Sequence, residues 1–238
     1  VAVPVDDSGE IGRLQAGVNE MVKGLRERER LADLFGRHVG TEVARRAVEQ
    51  GTQLGGERRD ASALFVDLHD STGIAAEARP EDVVQLLNRF FAEVVAAVTS
   101  HGGWVNKFEG DGAMCIFGVP AGPADHAACA LRAARLLQQR LRDLELRASV
   151  GVSSGEVVAG NVGAEERYEY TVIGDPVNEA ARLTEAAKDR PGHVVASGPA
   201  VTSAGDEASN WDLVDEVQLR GRRAPTQVYA PRDAAVRA

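Results

Sequence analysis

Residues 104–117 read WVNKFEGDGAMCIF. Two runs of strand formers, Trp104 to Phe108 and Ala113 to Phe117, flank Glu109-Gly110-Asp111-Gly112. Asp-Gly between apolar runs is a strong hairpin signal, because both residues tolerate the backbone of a tight turn. Two adjacent antiparallel strands are therefore expected here. Upstream, Pro80 to Ser100 carries Val83, Val84, Leu87, Phe90, Phe91, Val94, Val95 and Val98 on one stripe, which predicts a long amphipathic helix. Before it, Ala63 to Leu68 (ALFVDL) is a short apolar run, read as a buried strand. Downstream, Asp125 stands where it would cap a second helix bearing Ala128, Leu131, Ala134, Leu137, Leu141 and Leu144. Arg147 to Ser153 and Glu156 to Val162 then read as a strand pair around Ser154-Gly155.

The order strand, helix, strand, strand, helix, strand is the ferredoxin-like βαββαβ plan, an α+β fold. It predicts a mostly antiparallel sheet with helices on one face and the other face free for a ligand or partner. Past that unit, a strand at about 168–173 runs into Gly174-Asp175-Pro176, which announces a helix over about 176–189. Short strands are expected near 193–196, 211–219 and 226–230.

The chain has 238 residues, 44% hydrophobic and 26% charged, as in ordinary globular domains. Lys and Arg number 27 against 36 Asp and Glu, a formal net charge of −9. That balance disfavours broad attraction to nucleic acid or to an anionic membrane surface. No apolar run approaches the roughly 18 residues of a membrane span, and no signal-peptide pattern opens the chain. Cys115 and Cys129 both sit in apolar runs. Buried thiols in a reducing cytosol are expected rather than a disulfide. The chain opens on Val1 rather than Met, so it reads as an excised piece whose upstream part could contain a membrane segment.

The first forty residues follow a different rhythm. Ile11, Leu14, Val18, Met21 and Leu25 are spaced three, four, three, four, and the phase continues through Ala32, Phe35 and Val39. This is a heptad seam with polar residues between its members. A stripe of this length is usually a core-facing helix, but the run RERER at 26–30 is too charged to be buried all round, and a two-stranded or four-helix parallel contact with a second copy explains it better. GTQLGGERRD at 51–60 reads as a loop joining this helix to the main domain.

Two acids stand out. Asp67 ends the first predicted strand and Asp111 sits in the hairpin. If the two strands are neighbours, both carboxylates meet at one sheet end, where Mg²⁺ or Mn²⁺ would relieve their repulsion. Local backbone hydrogen bonding is the plainer use of such residues. Asp70 is a rival ligand, although Ser71, Thr72 and Gly73 suit a turn. Asn178 and Arg182 lie four apart on one helix face, where an arginine can clamp a phosphate while the amide fixes a neighbouring oxygen. The alternative is a solvated face shared with Glu179 and Glu185. Lys107 is either a surface lysine paired with Glu109 or Glu93, or a donor at the far end of an elongated ligand. Arg220, in LRGRR at 219–223, is either a phosphate partner or part of a basic turn.

Together these segments resemble one family. FVDLHDST at 65–72, KFEGDG at 107–112, GVSSGEVVAGN at 151–161 and YTVIGDPVNEAARL at 170–183 are similar to the class III adenylyl/guanylyl cyclase catalytic domain, over residues 58–231. VDDSGEIGRL at 5–14 and the heptad helix resemble the C-terminal half of a HAMP signalling module, at 1–30, leaving 31–57 as transducer helix and linker. The resemblance implies that Asp67 and Asp111 bind two divalent cations, Mg²⁺ or Mn²⁺. It implies that Asn178 and Arg182 stabilise the transition state, that Lys107 and Thr171 read the base, and that Arg220 binds triphosphate. Thr171 departs from the aspartate often found at its position. Guanylyl cyclases carry an acid where Lys107 stands, so ATP is the expected substrate.

The family builds its site between two subunits, and one chain here carries both half-sets. A homodimer, joined through the catalytic domain and the N-terminal helix, is expected, as the cytoplasmic part of a cell-membrane protein. An inactive nucleotide-binding or dimerisation module would be expected to have lost one of Asp67, Asp111, Asn178 and Arg182. A diguanylate cyclase shares the sheet plan, but no GG[DE]EF-type signature occurs.

Overall fold

In a computed structural model the chain is described over residues 9–40, 43–45, 54–71, 73, 78–222 and 224–232. The 5–8 part of the HAMP-like segment, residues 46–53 before the main domain, Thr72 and Arg223 lie outside the described residues. The chain divides into two compact units, Val1–Gly51 and Thr52–Ala238.

The first unit contains α1 (Glu10–Val39), one continuous 30-residue helix. Its interior is rich in Leu, Glu and Arg and holds no proline, which suits a helix. It stops at Gly40, whose φ of 90° ends the ladder while its N–H still donates to Gly36 O. Ile11, Leu14, Met21, Leu25 and Phe35 are 46–69% exposed, so most of the seam faces solvent in the single chain. No helix among the described residues is long and apolar enough to cross a membrane.

The second unit opens with β1 (Gly55–Leu68), α2 (Pro80–Thr99), β2 (Trp104–Glu109), β3 (Gly112–Phe117), α3 (His126–Asp143) and β4 (Ala148–Ala164). It continues with β5 (Arg167–Ile173), α4 (Asp175–Ala187), β6 (Val194–Ser197), α5 (Gly198–Thr202), β7 (Trp211–Val217) and β8 (Thr226–Pro231). The sheet runs β2-β3-β1-β4-β6-β8-β7, with β5 paired to β4 off that path. Its first four strands have the ferredoxin-like order. Among the described strands only the β4–β6 pair is parallel.

The βαββαβ plan holds, with three differences. β1 begins at Gly55, inside the expected loop, and pairs along its whole length with β4, from Gly55↔Asn161 to Leu68↔Ala148. β4 is consequently one 17-residue strand rather than a hairpin around Ser154-Gly155. Its long partner satisfies the backbone groups that a turn would otherwise have freed. Asp125 precedes α3 but makes no side-chain cap; its carboxylate lies 3.5 Å from Arg132 Nη1 instead.

The main core lies between the sheet and α2 with α3. Leu64, Val66, Phe90, Val94, Val98, Leu131, Leu137, Leu141, Val150 and Val152 are buried there. Each such side chain contributes about 1.5–3 kcal/mol of burial. Cys115 and Cys129 are buried and unpaired, as expected, and burial pushes the Cys115 thiol well up.

The third difference concerns the second face. It is not left free: α4 covers it through Leu183 and Ala187, against Val195, Leu219 and Val228. Gly151 permits this approach, because a Cβ there would collide with Ala180 O and Thr184 N of the helix.

Candidate active site

The register of β1 and β3 decides where the two acids lie. Asp67 pairs with Gly112, and Leu68 N–H donates to Asp111 O at 3.2 Å. The end of β1 and the tip of the β2–β3 hairpin are thus one place, carrying both carboxyl groups. Each is already engaged within the chain. Lys188 Nζ lies 3.0 Å from Asp67 Oδ2, and Ser71 Oγ donates to Asp111 Oδ2. The Lys188 ammonium is held above its usual pKa, first by its hydrogen bond to Asp67. Asp70, the rival ligand, has a φ of 57° and its carboxylate is engaged by Arg147 Nη2 at 2.7 Å. His69, between Asp67 and Asp70 in sequence, bonds Ser149 Oγ at 2.6 Å, with burial lowering its pKa.

Among the described residues no cluster of three or more His, Cys, Asp or Glu could hold a metal ion by itself. Two carboxylates at one point are nevertheless a hard-oxygen donor set. They leave most positions open for water and phosphate oxygens, which fits nucleotide-bound Mg²⁺ or Mn²⁺ better than a closed structural site. The ammonium at Asp67 is a cation already standing in that position.

A second group forms where β5 meets β2. Thr171 Oγ1 donates to Asn106 Oδ1 at 3.1 Å, and Asn106 Nδ2 donates to Tyr170 O at 2.9 Å. Lys107 Nζ lies 3.2 Å from Glu109 Oε1 and 3.9 Å from Glu169 Oε1. Lys107 and Thr171 therefore share one corner of the molecule. Glu93, the other candidate partner of Lys107, pairs with Arg140 at 3.1 Å.

The third group is on α4. Asn178 and Arg182 are both exposed, and no side-chain hydrogen bond or ion pair engages either among the described residues. Glu179 is not part of that solvated face. It is buried, accepting from Ser153 Oγ at 2.6 Å and Thr226 Oγ1 at 2.9 Å, and is ion-paired with Arg222. Arg222 also donates to Asp175 Oδ2 at 2.7 Å. This network ties the start of α4 to the β7–β8 loop, where Arg220 is exposed.

Lys188, beside Asp67, is ten positions beyond Asn178 and six beyond Arg182. At 1.5 Å per residue those intervals are about 15 Å and 9 Å along the helix. Within one chain the structure brings Asp67 to Asp111 and Lys107 towards Thr171. Among the described residues, no hydrogen bond or ion pair joins Asn178 or Arg182 to either acid. Lys188 and Asn106 escaped the sequence reading, which saw Ser71 as a turn residue and Arg222 as part of a basic turn. Only the i,i+3 spacing of Glu185 and Lys188 hinted at either missed residue.

The family model described as the adenylate and guanylate cyclase catalytic domain matches residues 56–230. The chain belongs to this family. An uncharacterized protein of Mycobacterium tuberculosis is 52% identical over 233 residues, which is 95% of this chain and 42% of that protein. The chain thus spans less than half the length of the curated relatives it matches. The adenylyl cyclase CyaB from P. aeruginosa has a similar structure, with a TM-score of 0.67 at 26% identity over 76% of this chain and 99% of that one. The guanylyl cyclase Cya2 has a TM-score of 0.61 at 32% identity over 74% of this chain and 93% of that one.

Proposed function

We propose that this chain is an adenylate cyclase, converting ATP to 3′,5′-cyclic AMP and pyrophosphate at sites shared by two copies of itself. The observation that carries the reading is the division of the polar groups along α4. The paired acids gather at its far end, while Asn178 and Arg182 are exposed and unengaged nearer its start. A second copy with two-fold symmetry would complete each half-site with the other. The exposed seam of α1 supports a parallel pairing.

Asp67 and Asp111 would hold two divalent cations, which when bound acidify the attacking 3′-hydroxyl and offset triphosphate charge. Arg182 of the opposite copy stabilises charge on the α-phosphoryl oxygens, and Asn178 orients the ribose. Arg220 binds the triphosphate. Catalysis on this reading is mainly positioning and electrostatics.

Both an adenylyl and a guanylyl cyclase are among the similar structures, so base choice rests on Lys107 and Thr171. Thr171 donates its proton to Asn106, which leaves lone pairs to accept from an amino group. Adenine presents a 6-amino donor there, whereas guanine presents an acceptor. Lys107, a donor only, suits the unprotonated adenine N1 and not the guanine N1–H. Residues 1–30 and 31–57 are read as the end of a HAMP module and its transducer. They would couple an upstream membrane segment to the cyclase domain on the cytoplasmic side.

The test is turnover of ATP and of GTP with Mn²⁺ and with Mg²⁺ over a range of chain concentrations. Cyclic AMP from ATP, with specific activity rising as copies associate, is expected. Preferential turnover of GTP would overturn the base assignment. No product from either nucleotide would reduce the chain to a binding module.

A further inference from the structure

Lys188 lies where the proposed chemistry needs a metal. Its Nζ is 3.0 Å from Asp67 Oδ2 and 3.2 Å from Glu185 Oε1, one turn earlier on the same helix. It is thus held between two carboxylates in different settings. Asp67 is the more sheltered, with 28% of its side chain exposed against 68% for Glu185. Asp67 shares its sheet end with Asp111, and two acids so placed repel each other unless a positive charge is supplied. Lys188 supplies one from within the chain.

A divalent cation on the Asp67 carboxylate would sit within a few ångströms of that ammonium, and like charges at such range repel even in a wet site. The ammonium must therefore leave before the ion is fully bound. Glu185 offers it a place to go without unwinding α4. We propose that Lys188 is a displaceable internal counter-ion, which competes with divalent cations for Asp67 and, through its exchange onto Glu185, sets the metal affinity of the chain. This rests on the reading of Asp67 as a metal ligand. Lys188 acts through Asp67 and is not itself a catalytic residue.

The proposal gives two neighbouring variants opposite signs, which a merely structural ion pair would not. In Lys188→Met the competitor is gone and metal binding strengthens. In Glu185→Gln the alternative partner is gone, the ammonium is committed to Asp67, and metal binding weakens. Partly exposed pairs are worth little, so each change is expected to be about two- to fivefold in affinity.

The experiment titrates Mn²⁺ alone into the full chain and follows the free-ion signal by electron paramagnetic resonance, with Asp67→Asn alongside. Melting in a chelator checks that each variant folds. Were Lys188→Met not to fold, Glu185→Gln would still carry the test, since it leaves the Lys188–Asp67 pair in place. Tighter binding in Lys188→Met, weaker binding in Glu185→Gln and loss of binding in Asp67→Asn are expected. Wild-type affinity in the foldable Lys188 and Glu185 variants, with binding lost in Asp67→Asn, overturns the counter-ion role alone. Wild-type affinity in Asp67→Asn, or no binding by the wild type, overturns the metal site on which it rests.

Discussion

Asp67 faces Gly112 across the β1–β3 ladder so closely that a Cβ on Gly112 would lie 2.8 Å from Val66 O and 3.3 Å from Asp67 Oδ1. Gly112 has no room for a side chain, and the hairpin tip bearing Asp111 depends on that contact. Gly112→Ala is expected to push β3 from β1 and spread the two carboxyl groups. Overpacking of this kind costs about 1–3 kcal/mol. Mn²⁺ affinity and turnover should fall by more than the shift in denaturation midpoint explains. Unchanged metal binding with reduced stability would show that the hairpin tip does not set the site.

Complementation tests whether the site is shared. Asp67→Ala and Arg182→Ala chains should each be nearly inactive alone, with Arg182→Ala down about 100-fold or more, as for loss of a charge-stabilising group. Mixed in equal amounts they should recover about a quarter of wild-type turnover. Half the pairs would be mixed, and one of the two sites in each mixed pair would be intact. Failure to recover any activity would count against a site built across two copies.

The buried Glu179 is the anchor of α4 and hence of Asn178 and Arg182. Removing its ion-pair partner with Arg222→Met leaves a carboxylate sealed among Ser153 and Thr226 without a cation. About 3 kcal/mol of stability should be lost in urea unfolding, in line with other broken buried pairs. A double change, Glu179→Gln with Arg222→Met, should be milder than Arg222→Met alone, because no unpaired charge remains.

His126 gives the stability a pH dependence. Its ring nitrogen bonds Ser62 Oγ at 2.8 Å, and burial lowers its pKa from 6.5, an effect that Asp60 and Asp125 partly offset. The native state thus favours the neutral ring, while the unfolded chain takes up a proton as pH falls through 6.5. This contribution is present in full above that pH and is lost progressively below it. Unfolding free energy should drop as pH falls through 6.5 towards the lowered native pKa, and His126→Gln should flatten part of that slope. His69 shifts in the same direction, so the difference between wild type and variant isolates His126.

Much of the molecule was legible in local pattern. The Asp-Gly turn, the stripes of α2 and α3 and the apolar run of β1 depend on neighbours a few residues apart, so spacing alone determined the βαββαβ plan. Acids at a strand end and an amide four residues before an arginine are visible in one dimension, but spacing alone favoured a plain structural use for them; their proposed roles, and Thr171 altogether, came from the resemblance of four ordered motifs to a family. What only the tertiary structure decided concerns partners distant in sequence. The full-length pairing of β1 made β4 one strand, and Gly151 let α4 settle on the face expected to be open. Register alone brought Asp67 beside Asp111. Lys188 reaches Asp67 across 121 positions, and Arg222 reaches Glu179 across 43. A charge's partner is chosen by distance in space, and nothing in the local periodicity of a lysine or an arginine records which distant carboxylate the fold will carry to it.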